Sequence, residues 1–191
     1  MSEPLQVLIA DDEPIARLDL REMLEGLGHH VVAEAANGRD ALELARQVRP
    51  SLAILDIRMP VLDGLEVARV LAEEAIAPSL ILSAYTDEEY LERSREAGCL
   101  CYLVKPFRQS DLEPALATTM ALSQRLNAMR RELVTLQEEL LTRKAVERAK
   151  GILMDKYNLR EADAFRRIQM ESMNSRRSLR AVAEHVIREE G

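Results

Sequence analysis

Through the first 120 residues, short apolar runs alternate with stretches of helical period. Runs at 7–10, 31–33, 52–55, 80–82 and 100–104 are three to five residues long and almost unbroken by polar side chains, as expected of strands buried on both faces. Between them, residues 15–27, 40–48, 64–75 and 87–97 and the segment from 110 onward space their apolar positions three and four apart, which predicts amphipathic helices. Strands alternating with helices build a parallel sheet, and five such units predict a doubly wound α/β domain.

From Leu122 the pattern changes. Leu122, Leu126, Met129, Leu133, Leu136 and Leu140 follow at intervals of 4, 3, 4, 3 and 4, the spacing of a coiled-coil seam. No Gly or Pro falls between Ala115 and Lys150, so the last helix of the first domain is expected to continue as one long helix. The strongly charged flanks favour pairing with another helix, a second copy being the simplest partner. The register fails at Arg143 and Glu147, where a new apolar face begins at Ala145, Ala149, Ile152 and Leu153.

That helix is expected to end near 156–158. Asn158 and Glu161 have the spacing of a capping box for a second helix, carrying Ala162, Phe165, Ile168 and Ser172 on one side. A third helix carries Leu179, Val182, Ala183, Val186 and Ile187. The expected organisation is a first domain over 1–121, a coiled-coil linker over 122–142 and a small three-helix all-α domain over 143–191.

A length of 191 residues suits one domain plus a smaller module, and 47% hydrophobic residues suffice for a packed core. No apolar run approaches the roughly 20 residues of a membrane span. The opening Met-Ser-Glu-Pro lacks the basic-then-apolar pattern of a secretory signal, and a cytoplasmic protein with no membrane partner is expected. Cys99 and Cys101 are expected on opposite faces, as two thiols rather than a disulfide or a zinc site.

The net charge of −7 conceals an asymmetry. Residues 1–122 hold 11 Lys and Arg against 22 Asp and Glu, whereas 123–191 hold 15 against 11. An acidic front suits a bound cation and a basic back suits a polyanion.

The chemistry-bearing residues of the front half fall at strand ends: Asp11 and Asp12 after the first, Asp56 at the third, Ser83 at the fourth, Lys105 and Pro106 at the fifth. In open α/β sheets, ligands bind at the carboxyl ends of the strands. Carboxylates crowded there repel one another unless a hard cation joins them, and Mg²⁺ suits that role. Lys105 can pair with a carboxylate or a phosphate oxygen and Ser83 can donate to one. Pro106 suits a fixed turn that aims the lysine back, a cis bond being one way to form it. Each residue also has a plainer reading, as a helix cap or a loop hydroxyl, but the combination favours chemistry.

In that combination the chain resembles the receiver domains of two-component response regulators. The resemblance covers residues 5 to about 120 and rests on Asp11-Asp12, Asp56-Ile57-Arg58-Met59-Pro60 with Asp63-Gly64, Ser83-Ala84 and Lys105-Pro106-Phe107. It implies a flavodoxin-like fold and phosphotransfer from a sensor histidine kinase to Asp56. It also implies Mg²⁺ held by Asp11, Asp12, Asp56 and the backbone carbonyl of Arg58. Tyr102, three residues before Lys105, resembles the family's switch aromatic, coupled to movement of Ser83, although packing would explain it as well.

Residues 125–188 resemble the ANTAR output domains of transcription antiterminators, through the segment 143–154 (RKAVERAKGILM), Ala164-Phe165 and Ala181-Val182-Ala183. With a receiver in front, this implies phosphorylation-dependent transcription antitermination through RNA hairpins in nascent transcripts. The charges agree: Arg143, Lys144, Arg148, Lys150 and Lys156, with Arg176 and Arg177 later, are candidate phosphate contacts. Aromatics for base stacking are scarce, and Tyr157 is the best candidate or else a core residue. A DNA-binding regulator with a helix-turn-helix output and a protein-interaction module without nucleic acid remain alternatives. An enzyme is not expected, since no Gly-rich phosphate loop, Ser-His-Asp set or metal-ligand His pair is present.

Overall fold

A computed structural model describes residues 3–84 and 98–190. The chain divides into two compact units, Met1–Leu126 and Asn127–Gly191. In the first, β1 (Gln6–Ala10), β2 (His30–Ala35), β3 (Leu52–Asp56), β4 (Ser79–Ser83) and β5 (Cys101–Val104) form one sheet in the order β2-β1-β3-β4-β5. Every pairing is parallel. Helices α1 (Pro14–Gly26), α2 (Gly38–Val48) and α3 (Gly64–Glu73) connect the strands, and α4 (Gln109–Tyr157) follows β5. The helix expected over 87–97 lies outside the described residues.

The two-residue period of the strands feeds two cores. Leu8, Ala10, Ala53, Leu55 and Ile81 face the side covered by α2 and α3. Val7, Ile9, Leu52, Ile54, Leu80 and Leu82 face α1 and the start of α4, where Leu112, Ala115 and Leu116 are buried. This is the expected doubly wound, flavodoxin-like arrangement. β2 is longer than its apolar run because an edge strand is only half covered, and His30 and Glu34 sit within it without a burial penalty.

Local sequence sets the helix starts. Pro14 occupies the first turn of α1. The Asn37 side chain accepts from the Asp40 amide at α2, and Asp63 with Glu66 closes a capping box at α3. Cys99 and Cys101 are free thiols on opposite faces of the sheet. Alternation within a strand would put residues two apart on the same face; Cys99 escapes it because β5 begins only at Cys101. Burial pushes the Cys99 thiol up to about 11, against a weaker opposing hydrogen bond with Ser79.

Helix α4 runs 49 residues, continuous as the lack of Gly and Pro between Ala115 and Lys150 predicts, and it also carries Pro114 in its second turn and Gly151 near its end. Its seam residues are exposed, from 39% at Leu122 to 59% at Leu133, and Val134 and Leu141 add exposed apolar surface beside the seam.

In the second unit the end of α4 joins α5 (Glu161–Ser175) and α6 (Leu179–Glu190). Ala149, Ala164 and Ala183 are fully buried at the centre, with Val146, Leu153, Ile168 and Val182 around them. The third helix packs as expected, but two details of the second differ. Its N-cap is Arg160, without a side-chain hydrogen bond, so the Asn158–Glu161 capping box does not form. Asn158 instead takes a left-handed backbone, φ 52°, just beyond α4, a conformation Asn tolerates. The buried face of α5 is Ala164 and Ile168, while Ala162 and Phe165 are exposed. A centre built of alanines seats small side chains, and the Phe165 ring stays outside.

Candidate functional site

Four neighbouring strands end at one place. Asp11 follows β1, and its amide donates to the Ala35 carbonyl at 3.2 Å. Asp56 closes β3, Ser83 closes β4, and the Lys105 amide past β5 donates to the Ser83 carbonyl at 2.7 Å. The Lys105-Pro106 bond is cis.

The side chains meet as a triad. Lys105 Nζ donates to Asp56 Oδ1 at 2.5 Å and to Asp11 Oδ2 at 2.6 Å. The second oxygen of each carboxylate is held by backbone. Asp56 Oδ2 accepts from the Arg58 amide at 2.7 Å, and Asp11 Oδ1 accepts from the Glu13 amide at 2.9 Å. One oxygen of each aspartate thus closes a local turn onto the amide two residues on and the other faces Lys105; neither caps a helix, since the N-caps of α1 and α3 are Glu13 and Asp63. Asp11 and Asp56 are buried, at 2% and 8% exposure.

Burial raises Asp56 above the ordinary carboxylate range, and the Lys105 ammonium only partly offsets it. Burial alone would lower Lys105, but hydrogen bonds and charge from Asp11 and Asp56 prevail and raise it. Lys105 is thus a fixed cation, and the Asp56 carboxylate is poorly solvated and turned toward it.

Of the expected receiver residues, the structure joins Asp11, Asp56 and Lys105 directly and sets Ser83 beside them through the Lys105 amide. Asp12 is exposed and stands outside this contact set. Among the described residues, no three His, Cys, Asp or Glu side chains gather as a metal cluster; one ammonium already joins the two buried carboxylates. For Arg58, the contact to Asp56 is made by the amide. Tyr102 is half-buried, packs on the α2–α3 side and pairs with Ile81, two positions before Ser83.

Two supports escaped the sequence reading. A Cβ at Gly64 would overlap the Asp56 carbonyl oxygen, and the Gly64 amide donates to the Ile57 carbonyl at 2.9 Å, so glycine lets the backbone close tightly behind Asp56. Arg17 donates to the Asp11 carbonyl at 2.6 Å and pairs with Glu34, which also pairs with Arg21. The Asp63-Gly64 motif was a signal for the first. Nothing local signals the second, whose partners come from β1 and β2.

In the second unit Arg143, Lys144, Arg148, Lys156, Arg176 and Arg177 are exposed. Lys150 is not. It is 8% exposed and donates to Glu147 at 2.8 Å and Glu161 at 2.7 Å, tying α4 to α5. Arg176 ends α5 with φ 54°, and the Arg177 carbonyl accepts from the Ser172 hydroxyl at 2.6 Å.

The response regulator receiver domain matches residues 7–117, and the ANTAR domain matches residues 135–187. The chain belongs to the response regulators. It is 45% identical over 184 residues to the transcriptional regulatory protein PdtaR of Mycobacterium tuberculosis, covering 96% of this chain and 90% of the relative. The positive alginate biosynthesis regulatory protein of Pseudomonas aeruginosa is 44% identical over 114 residues, 59% of this chain and 46% of that one. The receiver domain of NarL from Mycobacterium tuberculosis superposes with a TM-score of 0.58 at 30% identity, over 61% of this chain and 95% of that domain. The chain is a response regulator with a receiver and an ANTAR output. Among the described residues, no helix is long and apolar enough to cross a membrane.

Proposed function

We propose that this response regulator accepts a phosphoryl group on Asp56 from a sensor histidine kinase and thereby controls RNA binding and transcription antitermination by its ANTAR unit. The observation that carries the reading is the Lys105–Asp56–Asp11 triad at the strand ends of a receiver. The Arg58 amide holds one Asp56 oxygen and leaves Oδ1 as the attacking atom. That oxygen forms the bond to phosphorus as the bond to the donor nitrogen breaks. Lys105, already paired with Asp56, then meets a phosphoryl oxygen, and the Ser83 hydroxyl donates to another. Movement of Ser83 is coupled to Tyr102, two register positions away.

Asp11 Oδ2 and Asp56 Oδ1 converge on the Lys105 ammonium, and two carboxylates this close suit a hard divalent cation beside it. Asp11, Asp12, Asp56 and the Arg58 carbonyl would hold it. Mg²⁺ bound there supplies charge neutralisation for the incoming phosphoryl oxygens.

The partner of the second unit is an RNA hairpin in a nascent transcript, met by the exposed cations Arg143, Lys144, Arg148, Lys156, Arg176 and Arg177. Lys150, buried between two glutamates, serves the fold. The exposed seam of α4 pairs two copies, and phosphorylation acts on that pairing or on exposure of the ANTAR helices. The setting is the cytoplasm. Gel shifts of the full chain with hairpin RNA and with duplex DNA, each with and without acetyl phosphate, test the reading. Hairpin binding that strengthens with phosphodonor supports it; tight, sequence-selective duplex DNA binding without hairpin binding overturns it.

A further inference from the structure

The second unit holds two aromatic residues, Tyr157 and Phe165. Tyr157 ends α4 and takes no part in the buried core, its exposure being 43%. Its ring is nonetheless held in place by cations. The Arg167 guanidinium of α5 lies 4.4 Å from the ring centre and the Lys156 ammonium 5.8 Å away, both within the range of cation–π attraction. Glu190 of α6 reaches the same two cations, at 3.7 Å from Lys156 and 4.0 Å from Arg167. Three helices converge on one solvent-facing ring.

A tyrosine that served packing would bury its ring, and a solvated basic face has no need of an aromatic. Here a planar guanidinium lies over one face of a partly exposed ring, so that ring and guanidinium form a stacked pair, with two cations against one carboxylate beside it. A flat, uncharged heterocycle carrying a phosphate matches every part: the base stacks on the ring and guanidinium, and the phosphate meets the surplus positive charge. In a duplex the base faces are already stacked, so the ligand is an unpaired nucleotide.

We propose that Tyr157 and Arg167 form a stacking site for one unpaired nucleobase in the loop of the bound RNA. The proposal rests on the RNA-binding reading above and names the atoms that read the loop. Arg167 both orients the ring and contributes its own plane.

The test uses the full chain, treated with acetyl phosphate, and a hairpin RNA selected on it from a pool with a constant stem and a randomised loop. Tyr157→Ala should weaken binding roughly 5- to 100-fold, the loss expected for one base–aromatic stack. Its salt dependence should not change, because no phosphate contact is removed. Tyr157→Phe should bind within about twofold of the parent. The chain contains no tryptophan, so its tyrosine emission is readable directly; RNA should quench it in the parent and quench it less in Tyr157→Phe. Undiminished affinity in a folded Tyr157→Ala variant, or equal quenching in Tyr157→Phe, overturns the stacking site while leaving RNA binding intact. If the parent binds no member of the pool, the underlying reading fails and the stacking site falls with it.

Discussion

Lys105 Nζ stands 2.5 Å from Asp56 Oδ1, a contact between residues 49 positions apart that also brings the ammonium to 2.6 Å from Asp11 Oδ2. One cation therefore offsets two buried carboxylates. Removing it leaves both charges facing each other with little water, a loss of about 3 kcal/mol by analogy with other broken buried pairs. Lys105→Met should lower the urea midpoint at pH 7 accordingly. The sign with pH follows from Asp56, whose folded pKa lies above its ordinary value and should rise further without the lysine. A raised carboxylate pKa favours the fold below the unfolded value and costs stability as pH climbs through the folded one. The deficit of Lys105→Met should therefore shrink as the urea titration is repeated toward pH 4; a constant deficit would contradict the account.

A second titration sits under the other end of the sheet. His29 is 7% exposed and its Nδ1 accepts from the Leu5 amide at 3.2 Å. Burial lowers its pKa below the ordinary 6.5, with Glu113 pulling it up and His30 pushing it down. A neutral buried imidazole binds fewer protons than the unfolded chain, so stability rises with pH through this range and is lost as pH falls through 6.5. Melting temperature measured from pH 7.5 to 5.5 should fall in the parent more than in His29→Gln, which keeps an acceptor for Leu5 but does not titrate. Parallel curves would exclude His29 as the source.

Lys150 illustrates where charge counting misleads. It sits within the basic segment 143–150, but the structure buries it between Glu147 and Glu161. Lys150→Met should destabilise the helical unit, read as an earlier loss of far-UV ellipticity on heating. It should leave the slope of log affinity against log salt for hairpin RNA unchanged. Arg148→Ala, exposed on the same helix, should lower that slope by about 0.7 to 0.9 if it meets a phosphate. A slope change of that size in Lys150→Met would return Lys150 to the interface.

The receiver was legible because its signals are local and redundant. Each of β1, β3, β4 and β5 is a run of mainly apolar residues, and the polar residue at or just past its end is the one that enters the site. What escaped depends on distant partners: Arg17 acts through Glu34 and the Asp11 carbonyl, and β2 admits polar residues because it is an edge. In the helical unit, periodicity located the helices but misjudged one face. Ala162, Phe165, Ile168 and Ser172 make a plausible stripe, yet Ala164 and Ile168 are buried because Ala149 and Ala183 meet them. Spacing records which residues share a face, not how large a side chain the neighbouring helices admit.

The seam is the clearest case of a sequence pattern whose apolar residues stay exposed among the described residues. Leu126, Met129, Leu133, Leu136 and Leu140 are between 42% and 59% exposed, although a seam of this spacing normally buries such residues against another helix. Arg130, Arg131, Glu132, Glu138 and Glu139 surround it with charge, while Val134 and Leu141 widen the exposed apolar stripe. Sedimentation of the phosphodonor-treated chain should therefore give twice the monomer mass. Leu133→Glu with Leu140→Glu sets two like charges into each helix at facing core positions and should return it to monomer. Because those positions are solvent-exposed in the single chain, the substitutions should not unfold it, and phosphoryl incorporation at Asp56 should persist. A parent that sediments as a monomer with and without phosphodonor would remove pairing from the mechanism; a dimeric double variant would move it to another surface.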